Sequence, residues 1–141
     1  MDDLDLKLIG LLRTDARESL ASLAHKLKVS RGTVKNRIGR LERDGVIVGY
    51  TVRLRPDVQP NEILAWTSIA VEGNQTRSVI SHLLGEPGVA TLHDTNGRWD
   101  LLALLRAPNL NELAAVLERM RLIKGIGATE TSIHLQTYRL S

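Results

Sequence analysis

Apolar side chains recur at Leu4, Leu8, Ile9, Leu11 and Leu12, the interval of a helix with one buried side, and the acidic start of this stretch suits the positive end of a helix macrodipole. A polar turn from Arg13 to Arg17 follows. Ser19 then reads as the N-cap of a short second helix packing through Leu20, Leu23, Ala24 and Leu27. Lys28-Val29-Ser30 is a tight connection, Ser30 caps a third helix running to about Asp44, and Gly45 supplies its C-terminal stop. In this third helix Val34, Ile38 and Leu41 stand at i, i+4 and i+7 as a buried stripe. Arg31, Lys35, Asn36, Gly39, Arg40 and Arg43 lie largely on other faces. Gly32 and Gly39 weaken the helix but allow a close approach, either to a neighbouring element or to a DNA backbone.

Beyond the stop, residues 46–54 (Val46 to Leu54) read as a β segment, and a polar linker with Pro56 and Pro60 places a domain boundary at residues 55–62. The period then changes. Ile63 to Val71 is strand-like, Thr76 to Leu84 a short helix, Val89 to Thr95 and Leu101 to Arg106 strands, Asn109 to Ile123 a helix and Ala128 to Tyr138 a last strand. This order, βαββαβ, predicts a ferredoxin-like antiparallel sheet with two helices on one face. Pro87-Gly88-Val89 after the first of these helices resembles Lys124-Gly125-Ile126 after the second, as two strand-helix-strand halves would. The first strand is apolar on both sides, with Leu64, Trp66 and Ala70 on one and Ile63, Ile69 and Val71 on the other, so the open face of the sheet predicts a partner surface. A second copy of the chain is the simplest partner, and it would pair two recognition helices for a palindromic DNA site.

Charge sharpens the reading of the third helix. The 141-residue chain carries a formal net charge of only +3, yet seven basic residues (Lys26, Lys28, Arg31, Lys35, Arg37, Arg40, Arg43) stand against one acid, Glu42, between positions 26 and 43. Such a concentration is the footprint of a phosphate-facing surface, the plainer alternative being a solvated charged face. Arg31, Lys35, Asn36 and Arg40 are the candidates for reaching bases in the major groove, since arginine matches guanine and asparagine matches adenine by paired hydrogen bonds. Lys26, Lys28 and Arg43 are candidates for phosphate contact. Arg37 precedes the buried Ile38, so its stem covers the core while its head meets phosphate or an acidic neighbour.

The absence of cysteine excludes disulfides, thiolate zinc sites and cysteine nucleophiles, and the four histidines (His25, His82, His93, His134) lack metal-ligand spacing. No apolar run is long enough to span a bilayer and the start Met1-Asp2-Asp3 is unlike a signal peptide, so the expectation is a cytoplasmic protein with no membrane contact and no metal or other cofactor. His93 and Asp94 face opposite sides of a strand and make poor material for a joint catalytic site. The chain is not expected to be an enzyme, and Trp66 and Trp99 read as core or interface aromatics.

With these elements in place the sequence resembles the Lrp/AsnC family of transcriptional regulators. The resemblance rests on Leu4-Asp5 through Leu11-Leu12, Asp15-Ala16-Arg17, Leu23-Ala24, Val29-Ser30, Val34, Arg37-Ile38, Leu41-Glu42, Gly45-Val46-Ile47 and Gly49-Tyr50. It continues through Pro87-Gly88-Val89, Gly97-Arg98-Trp99-Asp100 and Gly125 with Thr129, Thr131 and Ile133. The resemblance implies an α+β chain: a winged-type helix-turn-helix domain over residues 1–54, the linker, and a ferredoxin-like (RAM-type) domain over residues 63–141. It further implies double-stranded DNA as partner, with Ser30, Arg31, Thr33, Lys35, Asn36, Arg37 and Arg40 at or near it. Self-association into dimers, often octamers, is implied as well, with an amino-acid effector at Gly97, Arg98, Trp99, Asp100, Thr129 and Thr131. In that implied site Gly97 marks a tight turn and Asp100 meets the effector's ammonium group; a residue closing the turn is the plainer role for Asp100.

Two other functions compete. Sirohaem decarboxylases resemble this family in fold and would draw on His93, Arg98 and His134 to hold a carboxylated tetrapyrrole. A DNA-compacting architectural protein shares the basic surface and predicts little preference between DNA sequences.

Overall fold

Each of the three N-terminal helices begins at a side-chain oxygen that accepts a backbone amide. In the computed structural model, which describes residues 1–55, 58 and 61–139, α1 spans Asp3–Thr14, α2 Leu20–Leu27 and α3 Arg31–Arg43. Asp2 accepts from the Asp5 amide and Asp5 accepts from the Asp2 amide, a reciprocal capping box. Ser19 accepts from the Ser22 amide and Ser30 from the Thr33 amide, as predicted. Lys28 absorbs the reversal between α2 and α3 at φ 57°, a region that side chains other than glycine seldom enter.

Leu8, Leu23, Ala24, Val34 and Leu41 close into the buried core of this first unit, Met1–Arg53. Full burial of one such side chain contributes about 1.5–3 kcal/mol, so Val34 and Leu41 fix which face of α3 turns inward. The helix stops where expected: Gly45 takes φ 71°, and the Val46 and Ile47 amides both donate to the Leu41 carbonyl, at 2.9 and 3.0 Å.

Residues 46–54 correct the sequence reading, for no strand forms there. Their alternation is real, with Val46, Val48, Tyr50, Val52 and Leu54 all exposed and Val48 94% so. A strand, however, needs a ladder partner, and no described strand forms a ladder with this stretch. Four residues of the expected linker, Pro56, Asp57, Gln59 and Pro60, lie outside the described residues.

The second unit, Leu54–Ser141, holds β1 (Ile63–Val71), α4 (Thr76–Leu84), β2 (Val89–Asp94), β3 (Leu101–Ala107), α5 (Leu110–Arg121) and β4 (Ile126–Ile133). The four strands form one antiparallel sheet in the order β2-β3-β1-β4, the predicted ferredoxin-like arrangement. Ala65 and Ile69 of β1 and Leu101, Ala103 and Leu105 of β3 pack with Val79, Leu83, Leu113, Val116 and Met120 of the two helices.

The internal repeat has a packing counterpart. A Cβ on Gly88, after α4, would stand 2.5 Å from Val116 Cγ2 of α5, and one on Gly125, after α5, would stand 2.6 Å from Gln75 Cβ before α4. Each half's turn thus fits beneath the helix region of the other half. Glu86 fastens the first turn to α5 through two 2.8 Å bonds from Arg119, which hold its carboxyl below the usual carboxylate range.

The last strand is shorter than predicted. Ile133 pairs with Ala65 and the His134 amide still donates to the Leu64 carbonyl, but among the described residues no pairing follows, although the register would set Leu135 opposite Ile63. Leu135 and Tyr138 are consequently exposed.

Candidate nucleic-acid interface

Once Val34 and Leu41 are buried, the 100° step between helical residues fixes where the polar residues of α3 stand. Gly32, Asn36 and Arg43 lie opposite the buried stripe, with Gly39 and Lys35 to one side, and Arg31 is also exposed. Among the described residues Arg31, Lys35 and Arg43 make no ion pair, and neither does the exposed Lys28 at the turn. A Cβ on Gly32 would meet only Ser30 Oγ at 3.9 Å, and one on Gly39 only the flexible end of Arg43 at 3.3 Å. Among the described residues no close packing requires either glycine. Ser30 and Thr33 are joined by their hydroxyls at 2.9 Å, so the helix start is closed on itself.

Arg37 and Arg40 occupy the flank that faces α1. Arg40 Nη2 lies 3.0 Å from Asp5 Oδ2, and Arg37 Nη1 lies 3.2 Å from Asp5 Oδ1 while also pairing with Asp2. Arg40, a sequence candidate for base reading, is therefore engaged by a carboxylate of its own chain. For Arg37, the acidic neighbour is the alternative realised. The Arg37 bond, reinforced by the Asp5 amide, lowers the Asp2 carboxyl to about 2, and the Asp2 and Asp5 carboxylates raise Arg37 above its ordinary value. Sequence reasoning missed Asp2 and Asp5 as site residues. Asp5 shares the apolar side of α1 with Leu8, Ile9 and Leu12, and a carboxylate on a buried stripe was a signal that a cation must meet it.

A further contact joins this helix to the stretch that follows it. Partial desolvation of an otherwise exposed ring, and then the Glu42 carboxylate, push the Tyr50 phenol above its ordinary value.

Of the residues proposed for an effector, Gly97 to Asp100 precede β3 and Thr129 and Thr131 stand on β4, with β1 between those two strands. Asp100 Oδ2 accepts the Val71 amide at 2.7 Å, and the Asp100 amide donates to the Ile69 carbonyl at 3.0 Å, so this carboxylate closes the end of β1. Thr95 Oγ1 donates to the Trp99 carbonyl at 2.6 Å, and the Arg98 guanidinium lies 5.5 Å from the Trp99 ring centre. Gly97 is outside the left-handed region and a Cβ there would meet nothing, so the turn does not require glycine. Thr131 shares a hydroxyl contact with buried Thr67 at 2.9 Å, and Thr129 stands opposite Ile69.

The histidines considered for tetrapyrrole binding are apart. His93 lies on β2 and His134 follows β4, the two edges of the sheet, three strand spacings or about 14 Å apart across the sheet and further offset along the strands. Among the described residues no group of three His, Cys, Asp or Glu side chains is placed to hold a metal, and no helix is long and apolar enough to cross a membrane.

Known proteins match both halves of the chain. The AsnC-type helix-turn-helix domain matches residues 1–42 and the Lrp/AsnC ligand binding domain residues 64–141. An uncharacterised HTH-type transcriptional regulator of Pyrococcus abyssi is 32% identical over 99% of this chain and 95% of its own. The structure of AsnC from E. coli superposes with a TM-score of 0.83 at 24% identity, covering all of this chain and 96% of that one. A regulator from Neisseria meningitidis, solved as a complex with L-Met, superposes with a TM-score of 0.79 at 19% identity, covering all of this chain and 94% of its own. With a DNA-binding helix-turn-helix and a ferredoxin-like domain matched in order along one chain, the protein belongs to the Lrp/AsnC family of transcriptional regulators.

Proposed function

We propose that the protein is a sequence-specific DNA reader that works as a dimer or larger assembly and responds to an amino acid or a related small molecule. The observation that carries the DNA reading is the exposed face of α3. Among the described residues Arg31, Lys35 and Asn36 are unencumbered there, and Gly32 and Gly39 leave room for a close approach that no described residue uses. Lys28 and Arg43 are the phosphate contacts that fix register. Ser30 and Thr33 lie at the start of the helix, which meets base edges in helix-turn-helix proteins. The described Met1–Arg53 and Leu54–Ser141 units serve DNA contact and assembly respectively.

Two surfaces favour a second copy of the chain. Trp66 remains 39% exposed on the helix-free side of the sheet, where Leu64, Leu102 and Leu104 are also incompletely covered, and the alternating apolar residues of 46–54 lack a strand partner among the described residues. Trp66→Arg is expected to shift the full chain toward monomer in sedimentation velocity; an unchanged assembly would remove the sheet face as the interface.

An amino-acid effector is favoured by the ligand-binding domain match and by the L-Met complex of the Neisseria structural relative. Asp100 keeps its Oδ1 available for an ammonium group even with Oδ2 on Val71. Control of transcription needs the effector to bind two states of the assembly unequally. Calorimetric titration with the standard amino acids, in the presence and absence of DNA, is the test; failure of every one to bind would overturn the effector reading.

A further inference from the structure

Asp5 is only 1% exposed, yet each of its oxygens holds a guanidinium from α3, Arg37 on Oδ1 and Arg40 on Oδ2. Asp2 gives Arg37 a second acceptor. Carboxylate and phosphate offer guanidinium the same pair of charged oxygens, so these two acids occupy the fork that would otherwise be free for a DNA backbone. Of the five basic residues of α3, two are therefore held while Arg31, Lys35 and Arg43 are without an ion pair among the described residues. Arg40 is still 49% exposed, close enough to solvent for an approaching phosphate to compete for it.

We propose that Asp2 and Asp5 are specificity-determining residues, an internal substitute for phosphate that withholds Arg37 and Arg40 from the DNA backbone. The inference rests on the DNA-facing role given to α3 above. Phosphate contacts dominate sequence-independent binding, and each adds about 0.9 to the slope of log affinity against log salt. On random DNA the protein can settle in whatever register supplies a freed guanidinium with a phosphate. On a preferred site base contacts fix the register, so the gain there is smaller and discrimination falls.

The test is equilibrium titration of the full chain on a random duplex and on a selected high-affinity duplex, between about 50 and 200 mM salt. Asp2→Asn is the first variant because asparagine caps a helix as well as aspartate does, so the charge changes while the cap remains. Asp5→Asn is the second, with circular dichroism melting to follow its fold. Asp2→Asn is expected to raise affinity for random DNA about threefold at the lower salt and to steepen the slope by up to about 0.9; Asp5→Asn should do more. In an Arg37→Gln background the effect of Asp2→Asn should vanish, an outcome that a role of Asp2 as helix cap alone would not produce. Unchanged slopes, or an Asp2→Asn effect that survives Arg37→Gln, would overturn the proposal. An Arg31→Ala/Lys35→Ala protein that binds like wild type would instead overturn the underlying assignment of the α3 face.

Discussion

Ser30 separates the stability of the recognition helix from its contact with DNA. Its Oγ accepts the Thr33 amide at 3.1 Å and is exposed at the start of α3. Ser30→Ala deletes this cap at a cost of about 1 kcal/mol, which in a domain of this class lowers Tm by about 4–8 °C. Ser30→Asp keeps a capping oxygen, and its charge gains about 0.3–1 kcal/mol from the helix dipole, so its Tm should equal or exceed that of wild type. The same carboxylate would face the DNA backbone. At about 5 Å in water each phosphate repels it by about 0.8 kcal/mol, so two neighbouring phosphates weaken binding by about tenfold. Thermal melting by circular dichroism and fluorescence anisotropy with a labelled duplex read the two effects separately. Wild-type affinity in Ser30→Asp would refute the placement of the α3 N-terminus against DNA.

Asn36→Ala should lower affinity for a preferred site by about 1–3 kcal/mol while barely changing affinity for random DNA; Lys28→Ala should weaken both alike and reduce the salt slope by about 0.9. Gel-shift titrations at matched salt distinguish these patterns. Gly88→Ala places a Cβ 2.5 Å from Val116 Cγ2 and should destabilise the ferredoxin-like unit by about 1–3 kcal/mol, with Val116→Ala in the same chain recovering part of the loss in denaturant melts. Asp2 sits at about 2 in the folded chain against an ordinary value of 3.8, because of Arg37 and the Asp5 amide. Its contribution to stability is complete above the ordinary value and disappears as pH falls toward about 2, so Asp2→Asn should flatten that part of the acid-stability curve.

Much of the fold was legible because local signals and packing agree. Ser19 and Ser30 cap the helices they precede, and the apolar run from Ile63 to Val71 marks β1 to the residue. The errors fall where the deciding partner is remote. Residues 46–54 have a strand's alternation but no ladder within the described chain, and β4 stops pairing with β1 after Ile133 although its own alternation runs on through Leu135. The candidate interface divides in the same way. Helical spacing separated the buried Val34 and Leu41 from exposed Lys35 and Asn36, whereas the capture of Arg37 and Arg40 by acids more than thirty residues earlier depends on how α1 meets α3. Nor could the order of residues around Asp100 disclose that the Val71 amide takes one of its oxygens.

The central claim is that the free face of α3 reads base sequence. Its most direct test is selection of bound fragments from a random duplex pool by the wild-type chain and by Asn36→Ala in parallel, with sequencing of both products. Wild type should enrich a two-fold-symmetric site, and Asn36→Ala should lose the preference at one position in each half. Failure of the wild type to enrich any sequence, or an identical site from both proteins, would contradict the account.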